Sequence, residues 1–277
     1  MSSSVPPAPR LPLADGAEIP QLGFGLYKVP ADDAARLSLE AIDAGYRHLD
    51  TAALYGNERE VGEAVRSAPV PRDELFVTSK VWKDDNGYDE TLRAFDASMA
   101  RLDLDSLDLY LIHWPVPSTD RYVDTWRALV RLQEEGRVRS IGVANFHEHH
   151  LERIIGETGV APVVNQVELH PWLPQAQLRA FDAARGIRTE AWSPLARGRV
   201  LRTPLLDDLA AKHGRTPAQV VLRWHVQLGN VVIPKASSPE RLAENLGVFG
   251  FELDADDFAA LATLETGERT GRDPDDD

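Results

Sequence analysis

The chain has 277 residues, of which 43% are hydrophobic and 27% charged, with a formal net charge of −14. That charge disfavours nucleic acid or an anionic membrane as the main partner, and no apolar run approaches the length needed to span a bilayer. Cysteine is absent, which excludes disulfides, thiolate metal sites and cysteine nucleophiles. The opening MSSSVPPAPRLP lacks the apolar centre of a secretory signal, so a soluble cytoplasmic protein is expected.

In chain order, LADGAEIP (13–20) places an Asp-Gly turn between short apolar flanks and predicts a small hairpin able to plug one end of a barrel. Strand-like runs follow at 21–29, 46–51, 75–80, 107–113, 139–144, 163–168, 188–193 and 231–235. Helical spacing of apolar residues marks, among others, 88–102, 124–135, 147–157 and 174–185. Eight strands alternating with helices predict one (β/α)8 TIM barrel over 1–277, with its active site at the C-terminal face. The Gly-x-Gly at 23–25 lacks a third glycine and no helix opens after it, which argues against an open dinucleotide-binding sheet. Residues 1–10 and the acidic, aperiodic GERTGRDPDDD at 267–277 are expected to be flexible tails.

At the strand ends stand Asp50, Lys80, His113, Asn145, Gln166, Glu168, Ser193 and Lys235, with Tyr55 in the loop after Asp50. Alone, Asp50 or Lys80 reads as half of a structural ion pair, His113 as a core histidine and Tyr55 as a loop cap. Together in one barrel mouth they suggest acid–base chemistry. A phenol is a weak acid at neutral pH; Lys80, held by Asp50, is expected to lower its pKa, and His113 to orient a carbonyl oxygen toward Tyr55. Such a set protonates oxygen but supplies no hydride, so a cofactor is required.

LGFGLYKV, GYRHLDTAALYGNE, VTSKVW, DLYLIHWP, SIGVANF, VNQVELHP, AWSPLA and VIPKASSPERLAENLGVF occur in this order across about residues 20–255. In these stretches the sequence resembles the aldo-keto reductases, and in TPAQVVLRWHVQ and its compact ending the bacterial branch of 2,5-diketo-D-gluconate reductases. The resemblance implies NADPH-dependent reduction of aldehydes, ketones and keto-sugars, with a catalytic tetrad at Asp50, Tyr55, Lys80 and His113. It implies nicotinamide contacts at Ala144, Asn145 and Gln166 and a stacking aromatic at Trp192. Ala144 stands where the family has serine, and Trp192 where it more often has tyrosine. Ser193, Leu195 and Arg197 are implied for the pyrophosphate, and Arg199 adds a second cation. For the 2′-phosphate and adenine the implied residues are Lys235, Ser237, Ser238, Arg241, Glu244 and Asn245, with Ala236 in place of a family serine. Ser238-Pro239 is a good helix start, and a helix N-terminus with Lys235 and Arg241 beside it suits a phosphate.

Tyr27, Trp82 and Trp114, with His113, are expected to line the substrate pocket. The short C-terminal loop implies an open pocket and broad carbonyl tolerance. The partner is then a small carbonyl compound, with no nucleic acid or membrane, and the chain is expected to be a monomer. Two alternatives stand beside this reading. One is a metal-dependent barrel hydrolase using His48-x-Asp50 and Glu168-x-His170; the other is a catalytically idle NADPH-binding sensor.

Overall fold

The computed structural model describes residues 8–276. The hairpin is β1 (Arg10–Pro12) and β2 (Glu18–Pro20), antiparallel, and it turns at Asp15-Gly16, where Gly16 takes a φ of 88°. Eight short parallel strands follow: β3 (Phe24–Gly25), β4 (His48–Asp50), β5 (Phe76–Val81), β6 (Leu107–Ile112), β7 (Val138–Ala144), β8 (Val164–Glu168), β9 (Arg188–Trp192) and β10 (Val231–Val232). They pair in sequence order from β3 to β10. Leu22 bridges Val232, and Gly23 and Gly25 donate backbone hydrogen bonds to Val232 and Pro234, so the first and last strands meet and the barrel closes.

This seam accounts for the Gly-x-Gly. A Cβ at Gly25 would stand 2.7 Å from the Ile233 carbonyl oxygen, and one at Gly23 would stand 2.6 Å from the His48 ring. The glycines allow close approach at the closure, of the Ile233 backbone at Gly25 and of the His48 ring at Gly23. The strands are shorter than the runs read from sequence at 21–29 and 231–235. There the seam is held by the single Leu22–Val232 bridge and by backbone hydrogen bonds donated by Gly23, Gly25 and Val232.

Among the described residues ten helices surround the sheet: α1 (Ala31–Ala44), α2 (Glu58–Ser67), α3 (Tyr88–Leu102), α4 (Tyr122–Glu134), α5 (Glu148–Thr158), α6 (Ala176–Ala184), α7 (Pro204–His213), α8 (Pro217–Gln227), α9 (Pro239–Leu246) and α10 (Ala255–Ala262). In α3, Thr91, Phe95, Ser98 and Leu102 fall on the buried side at three- and four-residue spacing, the pattern that marked it in sequence. Every residue of β5 and β6 is buried, as expected of strands covered on both faces. Leu13 and Ile19 of the hairpin pack with Phe76, Leu109, Val164 and Val231 beneath the barrel, so the hairpin is an apolar plug.

The tail expectations need correction. Residues 1–7 lie outside the described residues, but Ala8 is buried and Arg10 begins β1. The 267–276 segment lies across the barrel mouth. Thr270 and Gly271 donate their N–H groups to Glu168, and the Thr270 hydroxyl also bonds that carboxylate. An acidic, aperiodic segment carried no local signal of this, because its contacts are made to a strand end about a hundred residues away. No helix among the described residues is long and apolar enough to cross a membrane.

Candidate active site

The loop 51–58 is built around two side chains that are not themselves in the cleft. Asn57 is fully buried; it accepts from the Thr51 hydroxyl at 2.7 Å and donates to the Leu26 and Val29 carbonyls at 3.2 and 3.1 Å. Glu58 accepts from Ser79 and Arg101. Between them and β4, a single 3-10 turn over Ala53–Tyr55 ends at Gly56 with a φ of 68°, a left-handed residue that suits glycine. The turn puts Tyr55 above the ends of β4 and β5. The Gly-Asn-Glu after the tyrosine is thus the scaffold of the loop, a role the sequence reading did not assign.

Lys80 and Asp50 lie side by side on the barrel interior, both buried. The ammonium donates to both Asp50 oxygens at 2.6 and 2.7 Å, to the Thr51 carbonyl at 2.9 Å and, more distantly, to the Tyr55 hydroxyl at 3.5 Å. His113 stacks edge-on against Tyr55 and Trp82, with ring centroids 5.7 and 5.2 Å away. Tyr27 meets Tyr55 at 5.2 Å. The structure therefore brings Asp50, Tyr55, Lys80, His113, Tyr27 and Trp82 into one constellation.

The expected electrostatics differ in one respect. Burial, then the Asp50 carboxylate, raise the Tyr55 phenol well above its ordinary pKa, whereas the sequence reading expected Lys80 to lower it. The reason is geometric. The ammonium is closest to the two Asp50 oxygens and only at the limit of hydrogen-bonding range from the phenol, so most of its field is cancelled by the carboxylate. Burial, reinforced by Lys80, holds His113 well below its ordinary value, so the imidazole is neutral and can donate one hydrogen bond. Its Nδ1 has no hydrogen-bond partner among the described residues.

Below this group lies a second carboxyl that sequence reasoning missed. Gln166 donates its amide to Asp50 Oδ2 at 2.8 Å and to Glu190 Oε2 at 2.9 Å. Glu190 is fully buried, and burial together with the nearby Asp50 charge pushes it up to about 8. An acidic residue in the middle of a strand, two positions before Trp192, was the available signal. With both amide hydrogens engaged inward, Gln166 keeps only its oxygen for a ligand.

A cavity of about 1400 Å³ runs from Tyr27, Asp50, Tyr55, Trp82, His113 and Trp114 past Asn145, Gln166, Trp192, Ser193, Leu195 and Arg197 to Lys235, Arg241, Glu244 and Asn245. Three expected contacts do not line it. Ala144 is buried among apolar residues, Ser237 lies outside the wall, and the Ser238 hydroxyl caps α9 by accepting from the Arg241 N–H at 3.4 Å. Ala236 is also in the apolar core. Arg199 turns away to Glu268 at 2.6 Å. Asn145 donates to the His113 carbonyl at 2.9 Å and accepts from Trp192 Nε1 at 2.9 Å, so its amide locks the histidine strand to the tryptophan.

The pocket is also less open than a short loop implied, because Thr270, Gly271, Arg272, Pro274 and Asp276 form part of its wall. A Cβ on Gly271 would come within 2.6 Å of the Trp192 ring, so the segment rests directly on that aromatic. Burial alone would raise the Glu168 carboxyl that anchors it; hydrogen bonds from His170, Thr270 and Gly271 outweigh burial and hold it down to about 2.

A closed eight-stranded α/β barrel, with buried charge at the strand ends and a long cleft leading to a helix N-terminus, defines an enzyme of the barrel class. Residues 21–266 match the Aldo/keto reductase family. The chain is 55% identical over 267 residues to an aldo-keto reductase of Mycolicibacterium smegmatis, covering 96% of this chain and 97% of that one. It is 49% identical over 265 residues to the methylglyoxal reductase DkgA of Escherichia coli, covering 95% and 96%. The solved structure of a Gox0644 mutant in complex with NADPH superposes with a TM-score of 0.93 at 50% identity, covering 98% of each chain. The chain belongs to the aldo/keto reductase family, whose members are NADP(H)-dependent oxidoreductases acting on carbonyl compounds.

Membership overturns the hydrolase alternative. His48, Asp50 and Glu190 do cluster, but Lys80 already sits on Asp50 as its cation, and His48 Nε2 is engaged with Thr78 at 3.0 Å. Glu168 and His170 are bound to each other at 3.1 Å, with Glu168 further committed to the 267–276 segment.

Proposed function

We propose that this chain reduces small aldehydes and ketones with NADPH, and that Tyr55 is the proton donor. The observation that carries this reading is the Tyr55 hydroxyl 3.5 Å from a Lys80 ammonium that Asp50 holds by both oxygens, in the wall of the cleft. The residues present fit a dinucleotide. Gln166 retains an acceptor for a carboxamide, Trp192 offers an aromatic face, and Arg197, Lys235 and Arg241 supply cations along the cleft toward the capped end of α9. The bound cofactor supplies the hydride.

The chain's own groups manage the oxygen. Neutral His113 donates to the carbonyl oxygen and polarises it. Tyr55 gives its proton to that oxygen as negative charge develops there. A raised phenol pKa does not oppose this step, because an alkoxide is a much stronger base than any phenolate. It keeps Tyr55 in its acid form over the working pH range. Lys80 then lies close to the phenolate oxygen and steadies it, with Asp50 fixing the lysine.

The substrate class we propose is small carbonyls, including 2-oxoaldehydes of the methylglyoxal kind, on the strength of the DkgA relatives and of the apolar aromatic wall at Tyr27, Trp82 and Trp114. We also propose a monomer acting on free small molecules. The decisive assay is loss of NADPH absorbance with methylglyoxal and a panel of keto-sugars. Turnover with at least one of them is expected. Tight NADPH binding with no turnover across the panel would favour the idle sensor instead.

A further inference from the structure

The stretch His147-Glu148-His149-His150 caps and opens α5, and none of these residues belongs to the constellation around Tyr55. It meets the 267–276 segment at the edge of the mouth. His147 Nε2 lies 3.0 Å from Asp273 Oδ1 and 4.0 Å from Asp275 Oδ2. His149 Nε2 lies 3.1 Å, and His150 Nε2 3.3 Å, from Asp275 Oδ1. Asp275 is therefore surrounded by three imidazoles. Among the described residues, the permanent cation in contact with this pair of carboxylates is Arg269, on Asp273 at 3.0 Å.

Two features go beyond an ordinary surface ion pair. The donor atoms of His147, Asp273 and Asp275 lie within 4.8 Å of one another. Four ligands held about 2.0–2.2 Å from a tetrahedral zinc ion stand roughly 3.3–3.6 Å apart, so the 3.0 and 4.0 Å spacings from His147 to Asp273 and Asp275 straddle what a zinc shell requires. Second, His150 is 1% exposed and receives the His147 N–H on Nδ1 at 3.2 Å, which leaves its proton on Nε2. That Nε2 faces Asp275 yet completes no hydrogen bond among the described residues. A buried donor left unpaired is unfavourable. A small movement of Asp275 toward a cation brings it into line with His150, which then acts as the outer hydrogen-bond partner typical of metal-bound carboxylates.

We propose that His147, Asp273 and Asp275, with water as the fourth donor, form a binding site for a divalent transition metal of the zinc class, joining the N-cap of α5 to the segment that walls the cleft. The mixed nitrogen and oxygen donor set suits zinc better than calcium or magnesium, which prefer oxygen alone. A metal here ties down the strip carrying Thr270, Gly271 and Arg272, so occupancy is coupled to the shape of the mouth.

The test uses the whole chain without an affinity tag, titrated with zinc chloride against a chromophoric chelator. One zinc per chain is expected. Both His147→Ala and Asp275→Asn are expected to weaken binding by at least about tenfold. His213→Ala, at the unrelated Asp257 cluster, should leave it unchanged. Hydrogen exchange at 268–276 should slow with zinc in the parent chain and not in Asp275→Asn. No zinc uptake by the parent chain, or equal uptake by the two site variants, overturns the proposal. A segment loosened by Asp275→Asn in a protein that takes up no zinc would mark the cluster as a plain ion-pair latch.

Discussion

Two irregular strips cross the same barrel mouth, and they are held in opposite ways. The 51–57 loop is fastened from inside, by the fully buried Asn57 amide and its three hydrogen bonds to Thr51, Leu26 and Val29. The 267–276 segment is fastened at its rim, by one buried carboxylate, Glu168, and by partly exposed histidine–aspartate contacts to the start of α5. Interior fastening in a dry environment fixes a side chain to a fraction of an ångström, which a proton donor needs. Rim fastening by exposed charges contributes little free energy per pair, which suits a wall that must admit substrate and cofactor. The difference in anchoring thus parallels the difference in proposed role.

The sharpest break in this comparison is at the first strip's functional atom. Tyr55→Phe is expected to lower kcat by about 10²–10⁴-fold, the range for loss of a positioned proton donor, while NADPH affinity by fluorescence titration stays within about twofold. Survival of most of the turnover would move the proton donor elsewhere. The raised phenol adds a second reading of the same site: reduction by the parent enzyme should hold its rate as pH rises through the neutral range, since the acid form persists.

Next in size is the inner anchor. Asn57→Ala leaves buried carbonyls unpaired and should cost about 1–3 kcal/mol in denaturant unfolding, with a fall in kcat because Tyr55 loses its support. Unchanged stability with unchanged kcat would show that the 3-10 turn holds itself.

The outer anchor should respond differently. Glu168→Gln weakens the hold on Thr270 and Gly271, so KM for the carbonyl should rise several-fold, kcat should change less, and exchange at 268–276 should quicken. Equal losses in kcat and kcat/KM would mean that the segment acts on the chemical step itself.

The smallest effect expected concerns the carboxyl beneath both strips. Glu190 is raised in the folded state, so between its ordinary range and about 8 the folded protein binds more protons than the unfolded one. Stability therefore falls as pH rises through that window. Glu190→Gln should flatten the decline of Tm between about pH 7 and pH 8, a range where Glu190 is still mostly protonated while the other raised carboxyl, Asp182 at about 7, passes from half to mostly ionised. A slope equal to the parent's would assign the decline to another group.

Much of this was legible locally. The α3 span, the eight-strand count, the plug hairpin and the serine cap of α9 each follow from patterns within a few residues, because periodicity, turn chemistry and capping are local physics. The strand-end positions of Asp50, Lys80 and His113 were legible too, since each closes an apolar run. The scaffolding part of Asn57, the pairing of Gln166 with both Asp50 and Glu190, and the turn of Arg199 toward Glu268 were not, because each is settled by a partner that no spacing identifies.

By itself, then, the sequence determined the barrel, the order of its elements and which side chains stand at its strand ends, since those depend on hydrophobic period and chain geometry. Only the tertiary structure decided that Lys80 spends its charge on Asp50 rather than on the phenol, that Glu190 is held protonated near neutrality, and that an acidic strip folds over Glu168 to wall the cleft. The reason is distance. Coulomb and hydrogen-bond energies change steeply over an ångström or two in a medium of low dielectric, and only the fold brings residues 50 and 190, or 168 and 270, to within that range.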